Sequence, residues 1–262
     1  MTAPLTVLQI TDTHLQATVG STLLGVDTGE SLRAVLEQAL AEHVPDAVLA
    51  SGDLAHEPVP DTYRRFRDLL AEAFPGPVLY LPGNHDLTEP LTRVLGAAEA
   101  LRLGAWEVIG FDSHVDHRTE AGLDDAERQD LAAHVRASEA DHVLLVCHHH
   151  LLPVGCPWLD KDRIPGGREL LESCAAHPRV RGLVFGHVHQ EVQATIGGMS
   201  VLGTPSTCFQ FEPSSEGFSI DRSPDTGRPG YRWLVLHPDG TLESTVCRLA
   251  GYTLNIDLSD RS

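Results

Sequence analysis

Leu5-Thr6-Val7-Leu8-Gln9-Ile10-Thr11-Asp12-Thr13-His14 is a mostly apolar run that breaks into an Asp-x-His. Residues 5–10 read as a strand, after which the chain delivers an acid and an imidazole within three residues. The same ending recurs. A strand over 47–50 runs into Ser51-Gly52-Asp53, and one over 78–81 runs into Pro82-Gly83-Asn84-His85-Asp86. Residues 143–147, apolar throughout as expected of a strand buried on both faces, run into His148-His149-His150. Residues 182–185 run into Gly186-His187-Val188-His189. Separate strands thus repeatedly deliver Asp, Asn or His at their C-terminal edge, where open α/β sheets bind ligands.

Working outward, the spacing predicts a helix over 28–43 with Leu32, Val35, Leu36, Ala39 and Leu40 on one face. Asp61 is expected as an N-cap ahead of Tyr63, Phe66, Leu69 and Leu70. A strand over 108–111, a polar surface helix over 124–138 and a helix over 167–177 follow. From Gln190 the style changes to short strands with turn signals at Gly197-Gly198 and Pro238-Asp239-Gly240, the latter between strands over 231–236 and 242–247. The first two thirds read as βαβ units and the last third as mostly antiparallel. Residues 212–230, rich in Ser, Pro, Gly and Asp, read as a long loop or flap, and the tail after Tyr252 as frayed.

The 262 residues include 19 basic and 37 acidic side chains, a formal net charge of -18, with 42% hydrophobic and 21% charged residues. This supports a packed core and fits one α/β domain over residues 1–262, with a catalytic core over 5–210 and a β-rich flap and hairpin over 211–250. The charge argues against a general nucleic-acid or anionic-membrane surface. No apolar run approaches the ~20 residues of a bilayer span, and Met1-Thr2-Ala3-Pro4 lacks a signal's basic and apolar stretches, so no leader is expected. The five cysteines form no Cys-x-x-Cys pair; a disulfide framework or thiolate zinc site is not expected, and a reducing cytoplasm fits.

Asp and His at Asp-x-His and His-x-His spacing are donors suited to Mn, Fe, Zn or Co, and in an extended segment residues i and i+2 face one way. Each motif alone is weak, because Asp-x-His occurs by chance and Gly-Asp is more often a turn. All of them together, in order and each after a strand, point to a two-metal site.

The ordered set D-x-H, G-D, G-N-H, H and G-H-x-H resembles the calcineurin-like metallophosphoesterase superfamily from Asp12 to His189. The resemblance implies an α/β fold, an α-β-β-α sandwich of two mixed sheets flanked by helices, and two divalent metal ions (Fe, Mn, Zn or Co). It assigns Asp12, His14 and His189 to one ion, Asn84, His148 and His187 to the other, and Asp53 to both. His85 matches the family's catalytic histidine, which is not a ligand; Asn84, His85 and His189 also face the substrate. His148 rather than His149 is chosen because it directly follows the strand. One departure is that many members carry an acid three residues after the bridging Asp, where this chain has His56 followed by Glu57.

Leu23-Leu24-Gly25-Val26, Glu30-Ser31, His148 to Pro153, Gly155 to Asp160, Thr204 to Cys208 and Asp239-Gly240-Thr241-Leu242 are similar to bacterial class III 3′,5′-cyclic-nucleotide phosphodiesterases. That implies 3′,5′-cyclic AMP as small-molecule substrate. A hydroxide bridging the metals would attack, and His85 would protonate the leaving 3′-oxygen to give 5′-AMP. A looser diesterase acting on glycerophosphodiesters or 2′,3′-cyclic nucleotides would use the same ligands, with specificity in the loops over 151–164 and 208–230. A non-catalytic scaffold is disfavoured because every expected position is filled.

Other residues carry less. His149 and His150 either orient ligands or line the cleft; His56 either contacts substrate or is a solvated loop residue. Cys208 and Phe209 are expected in the core, Trp158 as a packing anchor, and His43, His134, His142 and His177 at the surface.

Overall fold

The computed structural model describes residues 3–260. In chain order its elements are β1 (Leu5–Ile10), α1 (Thr28–Glu42), β2 (Ala47–Ser51), α2 (Pro60–Ala73), β3 (Val78–Leu81), α3 (Thr88–Leu95), β4 (Ala100–Leu103) and β5 (Trp106–Gly110). There follow α4 (Asp125–Ala137), β6 (His142–Val146), α5 (Pro157–Asp160), α6 (Gly167–Ala175), β7 (Val180–Phe185), β8 (Val192–Ile196), β9 (Met199–Gly203), β10 (Gly230–Leu236) and β11 (Leu242–Arg248).

The strands form two mixed sheets, ordered β11-β10-β1-β2-β3 and β4-β5-β6-β7-β9-β8. β1, β2 and β3 run parallel, and so do β5, β6, β7 and β9. The alternation of side chains along each strand builds three apolar layers. Val7, Leu49, Leu79, Leu144, Val146, Val184 and Leu234 meet between the sheets. Leu8, Ile10, Val48 and Ala50 point the other way, against Leu32, Val35 and Leu36 of α1 and Tyr63, Phe66 and Leu70 of α2. On the far side Ile109, Val143, Leu145 and Leu183 meet Leu131 and Val135 of α4 and Leu170 and Leu171 of α6. The layers are helix, sheet, sheet, helix, and the parallel strands of both sheets end together at one edge.

Several expectations need correction. α2 begins at Pro60, with Val59 as its cap and no side-chain capping bond, so Asp61 lies inside the first turn; proline's fixed φ suits that first position. Asp124 does cap α4, in a reciprocal box with Glu127. The last third is mostly antiparallel, as expected, with β8 reversed against β9 and β10 against both β1 and β11; the exception is β9, which pairs parallel to β7. Of the tail after Tyr252, residues 253–260 are packed rather than frayed, and the last two residues lie outside the described ones: Leu254 and Ile256 join Leu23, Leu24, Cys208, Phe209 and Ile220 in a small cluster. Asp260 there accepts hydrogen bonds from Thr22 Oγ1 and the Gly25 amide. His142 is buried rather than superficial, its Nε2 donating to the Pro238 carbonyl at 3.1 Å beneath the last hairpin.

Candidate functional site

The loops that leave β1 and β2 are zipped together. Asp12 and His14 donate their amides to the Gly52 and Asp53 carbonyls at 2.9 Å each, and the Thr13 hydroxyl donates to the Leu54 carbonyl at 2.7 Å. The loop after β3 joins them through Asp53, whose Oδ1 accepts from the His85 amide at 2.8 Å. The loop after β7 joins through Asp12, whose two carboxylate oxygens accept from the His187 amide at 3.1 Å.

These segments are not extended. Asp12, His14, Asp53, His187 and His189 all have left-handed backbones, with φ of 53°, 45°, 50°, 66° and 48°. The i, i+2 argument for Asp-x-His and His-x-His therefore fails in its geometry. The strands stop at Ile10 and Phe185, and left-handed residues turn the chain so that its amides reach neighbouring loops. Asp and His tolerate this region better than most residues, and strained backbone of this kind clusters at functional sites.

The side chains nonetheless converge. His14 Nε2 and His189 Nε2 face each other at 3.2 Å, with Asp12 Oδ1 3.4 Å from the latter and Asp53 Oδ2 3.6 Å from the former. On the other side of Asp53, Oδ1 lies 3.5 Å from His148 Nε2, which is 3.2 Å from Asn84 Oδ1; His187 Nδ1 lies 2.9 Å from the same amide oxygen. The seven residues thus form two nests that share Asp53. His85 lies at the mouth, half-buried, its ring edge-on to His14 at 4.8 Å.

This donor set fits divalent cations. Two ring nitrogens 3.2 Å apart can share only one proton, whereas a cation between them and the carboxylates would use both lone pairs. Within 4.8 Å of one another lie single ligand atoms of Asp12, His14 and His189, and likewise of Asp12, Asp53 and His148. His148 Nδ1 bonds to the Ser51 carbonyl at 2.9 Å and His189 Nδ1 to the Phe209 carbonyl at 2.7 Å, which aims each Nε2 inward. Burial holds His14 and His187 well below the usual histidine pKa, against the charge of Asp53 and with neighbouring imidazoles adding to it, which leaves both rings in the neutral form that a metal ligand needs. His148 is the opposite case: burial opposes its charge, but Asp53 outweighs burial and lifts it to about 9. Burial would raise Asp53, yet the charges of His148 and His85 bring it well below the carboxylate range.

A model of the calcineurin-like phosphoesterase family matches residues 5–191. The chain belongs to that family. It is 39% identical over 251 residues to the 3′,5′-cyclic adenosine monophosphate phosphodiesterase CpdA of Escherichia coli (strain K12), covering 93% of this chain and 90% of that protein. It is 36% identical over 261 residues to the protein of the same name from Pseudomonas aeruginosa, covering 97% and 94%. Among solved structures, a dimetal phosphatase from Danio rerio superposes with a TM-score of 0.62 at 14% identity, covering 95% of this chain and all of that one, which shows the shared fold.

In this calcineurin-like phosphoesterase, several supporting residues had no assigned role in the sequence. Asp86 is buried behind the β3 loop and accepts from the amides of Leu54, Ala55 and Gly83 and from the Tyr63 hydroxyl, at 2.9–3.0 Å. Burial, then the charge of Asp53, pushes its carboxyl up to about 6. Beneath the site the apolar layer between the sheets gives way to polar contacts: Gln9 Nε2 donates to Ser51 Oγ, Thr204 Oγ1 to Gln9 Oε1, and Arg232 Nε to Thr204 Oγ1.

Cys208 and Phe209 are buried as expected, but Phe209 also stacks on His14 with ring centres 6.2 Å apart. His149 and His150 are buried behind the rings of His148 and His187 rather than in an open cleft. His149 is held by Ser113 Oγ and the Thr119 carbonyl, 4.7 Å from the His187 ring, and His150 stacks on His187 at 5.4 Å with Asp160 3.5 Å from its Nε2. His56 stacks on His85 at 5.1 Å. Of the four histidines expected at the surface, His43 is exposed and His134 and His177 are half-buried.

Proposed function

We propose that this chain hydrolyses 3′,5′-cyclic AMP to 5′-AMP at a centre of two divalent cations. The observation that carries the reading is Asp53, with one carboxylate oxygen toward each nest, in a chain 36–39% identical along nearly its whole length to proteins named cyclic AMP phosphodiesterases. Asp12, His14 and His189 would hold one cation, Asn84, His148 and His187 the other, and Asp53 both. When bound, the cations would convert a shared water into a hydroxide nucleophile and draw charge from the phosphate oxygens.

The chain's own residues do the rest. Asp12 and Asp53 only half neutralise two divalent cations, so the cleft stays positive for a phosphodiester although the protein carries -18. Asn84 directs its oxygen toward His148 and His187, leaving its amide N–H groups to donate to a phosphate oxygen. His85 is held at the mouth by the hydrogen bond its backbone N–H donates to Asp53 Oδ1, and it donates a proton to the 3′-oxygen as the P–O3′ bond breaks. His189 faces the same phosphate from the opposite nest.

No helix among the described residues is long and apolar enough to cross a bilayer. The five cysteines are all free thiols, which supports a reducing, cytoplasmic setting for a soluble nucleotide substrate.

The test is steady-state kinetics on chelator-stripped protein reloaded with Mn²⁺ or Fe²⁺. The expected result is a kcat/KM for 3′,5′-cyclic AMP well above those for 2′,3′-cyclic AMP and an aryl phosphodiester, with 5′-AMP as product. Turnover of the aryl diester with little on 3′,5′-cyclic AMP would keep the metal chemistry and overturn the substrate.

A further inference from the structure

Aromatic contacts that begin at the site run outward to the surface. Phe211 stacks on His189 with ring centres 4.2 Å apart and planes 22° from parallel. Phe218 meets Phe211 edge to face at 5.7 Å, and Trp158 braces both, 4.9 Å from Phe211 and 5.7 Å from Phe218. Phe218 is still 54% exposed. It stands alone as a large apolar ring on the polar stretch Ser214-Ser215-Glu216-Gly217-Phe218-Ser219.

That stretch is anchored without being buried. The Glu212 amide donates to the Ser219 carbonyl at 2.9 Å, Ser219 Oγ to Glu212 Oε2 at 2.6 Å, and Trp158 Nε1 to Ser215 Oγ at 3.0 Å. A single exposed phenylalanine is unremarkable by itself. This one differs in being held at a fixed angle by two other rings, two ring contacts from a candidate ligand.

We propose that Phe218 is the stacking platform for the purine base of the substrate, held by Phe211 and Trp158. The inference rests on the nucleotide reading above. A nucleotide anchored by its phosphate at the two nests must place a neutral, planar base elsewhere on the rim. A chain of net charge -18 offers that base no electrostatic gain, whereas an aromatic face attracts any base irrespective of charge. Stacking of this kind favours nucleotides over simple diesters without choosing between purines.

The test pairs two inhibitors that differ only in the base, 5′-AMP and ribose 5-phosphate, against aryl-diester turnover by Mn²⁺-loaded protein. Phe218→Ala should raise the Ki of 5′-AMP by roughly tenfold, the range of one base–aromatic stack, and barely move that of ribose 5-phosphate. It should raise KM for 3′,5′-cyclic AMP in parallel. Phe218→Tyr should restore both, whereas Phe218→Leu, which keeps the bulk without the plane, should not. Equal weakening of the two inhibitors, or of neither, overturns the platform. Wild-type protein that leaves 3′,5′-cyclic AMP intact would overturn the substrate reading instead, and the paired Ki values would still decide whether Phe218 stacks a base.

Discussion

The α-carbon of Gly83 lies flush against Asp53: a methyl group there would overlap the Asp53 amide nitrogen and Oδ1, and come within 2.7 Å of His148 Nε2. Glycine is needed at this point for close approach, since neither neighbour is a flexible side-chain end that can swing away. Gly83→Ala should therefore push the shared carboxylate off its position and lower metal affinity by about 10- to 100-fold. Metal content after dialysis against a buffered Mn²⁺ series measures it. Unchanged affinity would mean that the loop after β3 can shift without disturbing Asp53.

The roles proposed for Asp53 and His85 separate in a pair of variants. Asp53→Asn keeps the shape but removes the charge facing both nests, so metal content should fall together with turnover. His85→Ala should retain metal and lose about 10²–10⁴ in kcat, the contribution of a positioned proton donor. Metal analysis beside kcat gives both readings on one sample. A His85→Ala protein that has lost its metal would make His85 a ligand, as its place beside His14 and His56 allows geometrically.

Much of this candidate site was legible in the sequence, because each candidate ligand closely follows an apolar run and the residue types are unusual in such company. What was not legible depends on partners distant in the chain. The left-handed residues Asp12, His14 and His187 donate their amides to loops distant in the chain, Asp12 to the Gly52 carbonyl, His14 to the Asp53 carbonyl and His187 to the Asp12 carboxylate. Asp86 stands in plain view after His85, but its role exists only through Leu54, Ala55 and Tyr63. α3 is short, contains Pro90 and buries only Pro90 and Leu91, too little to show a helical period. Leu254 and Ile256 find their groove only because residues 23–26 and Phe209 form one wall of it.

Asp86 ties the loop after β2 and its own loop after β3 to α2, and its loss should be felt in stability first. Asp86→Ala leaves the Leu54, Ala55 and Gly83 amides without their acceptor, and an unsatisfied buried donor costs about 1–3 kcal/mol. A total destabilisation of about 3–5 kcal/mol is expected, among the larger single-substitution effects. Tyr63→Phe removes one donor to Asp86 and the acceptor of the Leu87 amide, and should cost about 1–3 kcal/mol. Urea unfolding of metal-free protein checks both without the contribution of bound cations. Equal costs for the two variants would mean that water replaces Asp86 at the amides.

His114 gives the fold a pH dependence away from the metal nests. Its Nδ1 lies 2.8 Å from Asp112 Oδ1 and its Nε2 2.9 Å from Asp116 Oδ1. Burial disfavours the charged ring, but hydrogen bonds and charge from Asp112, then Asp116, outweigh burial and raise its pKa above the usual histidine value. Asp116 Oδ1 also accepts from the amide and hydroxyl of Thr88, so the protonated ring helps to fasten the start of α3. A folded pKa above the unfolded one means that the stabilisation is complete below the unfolded value, near 6.5, and is lost as pH rises through the folded value. His114→Gln should therefore lower Tm most at about pH 5.5 and least at about pH 8.5. Metal affinity also varies over this range, but it varies alike in wild type and variant, so the difference between their melts isolates His114. A gap that stays constant with pH would show that the neutral ring supplies the whole contribution.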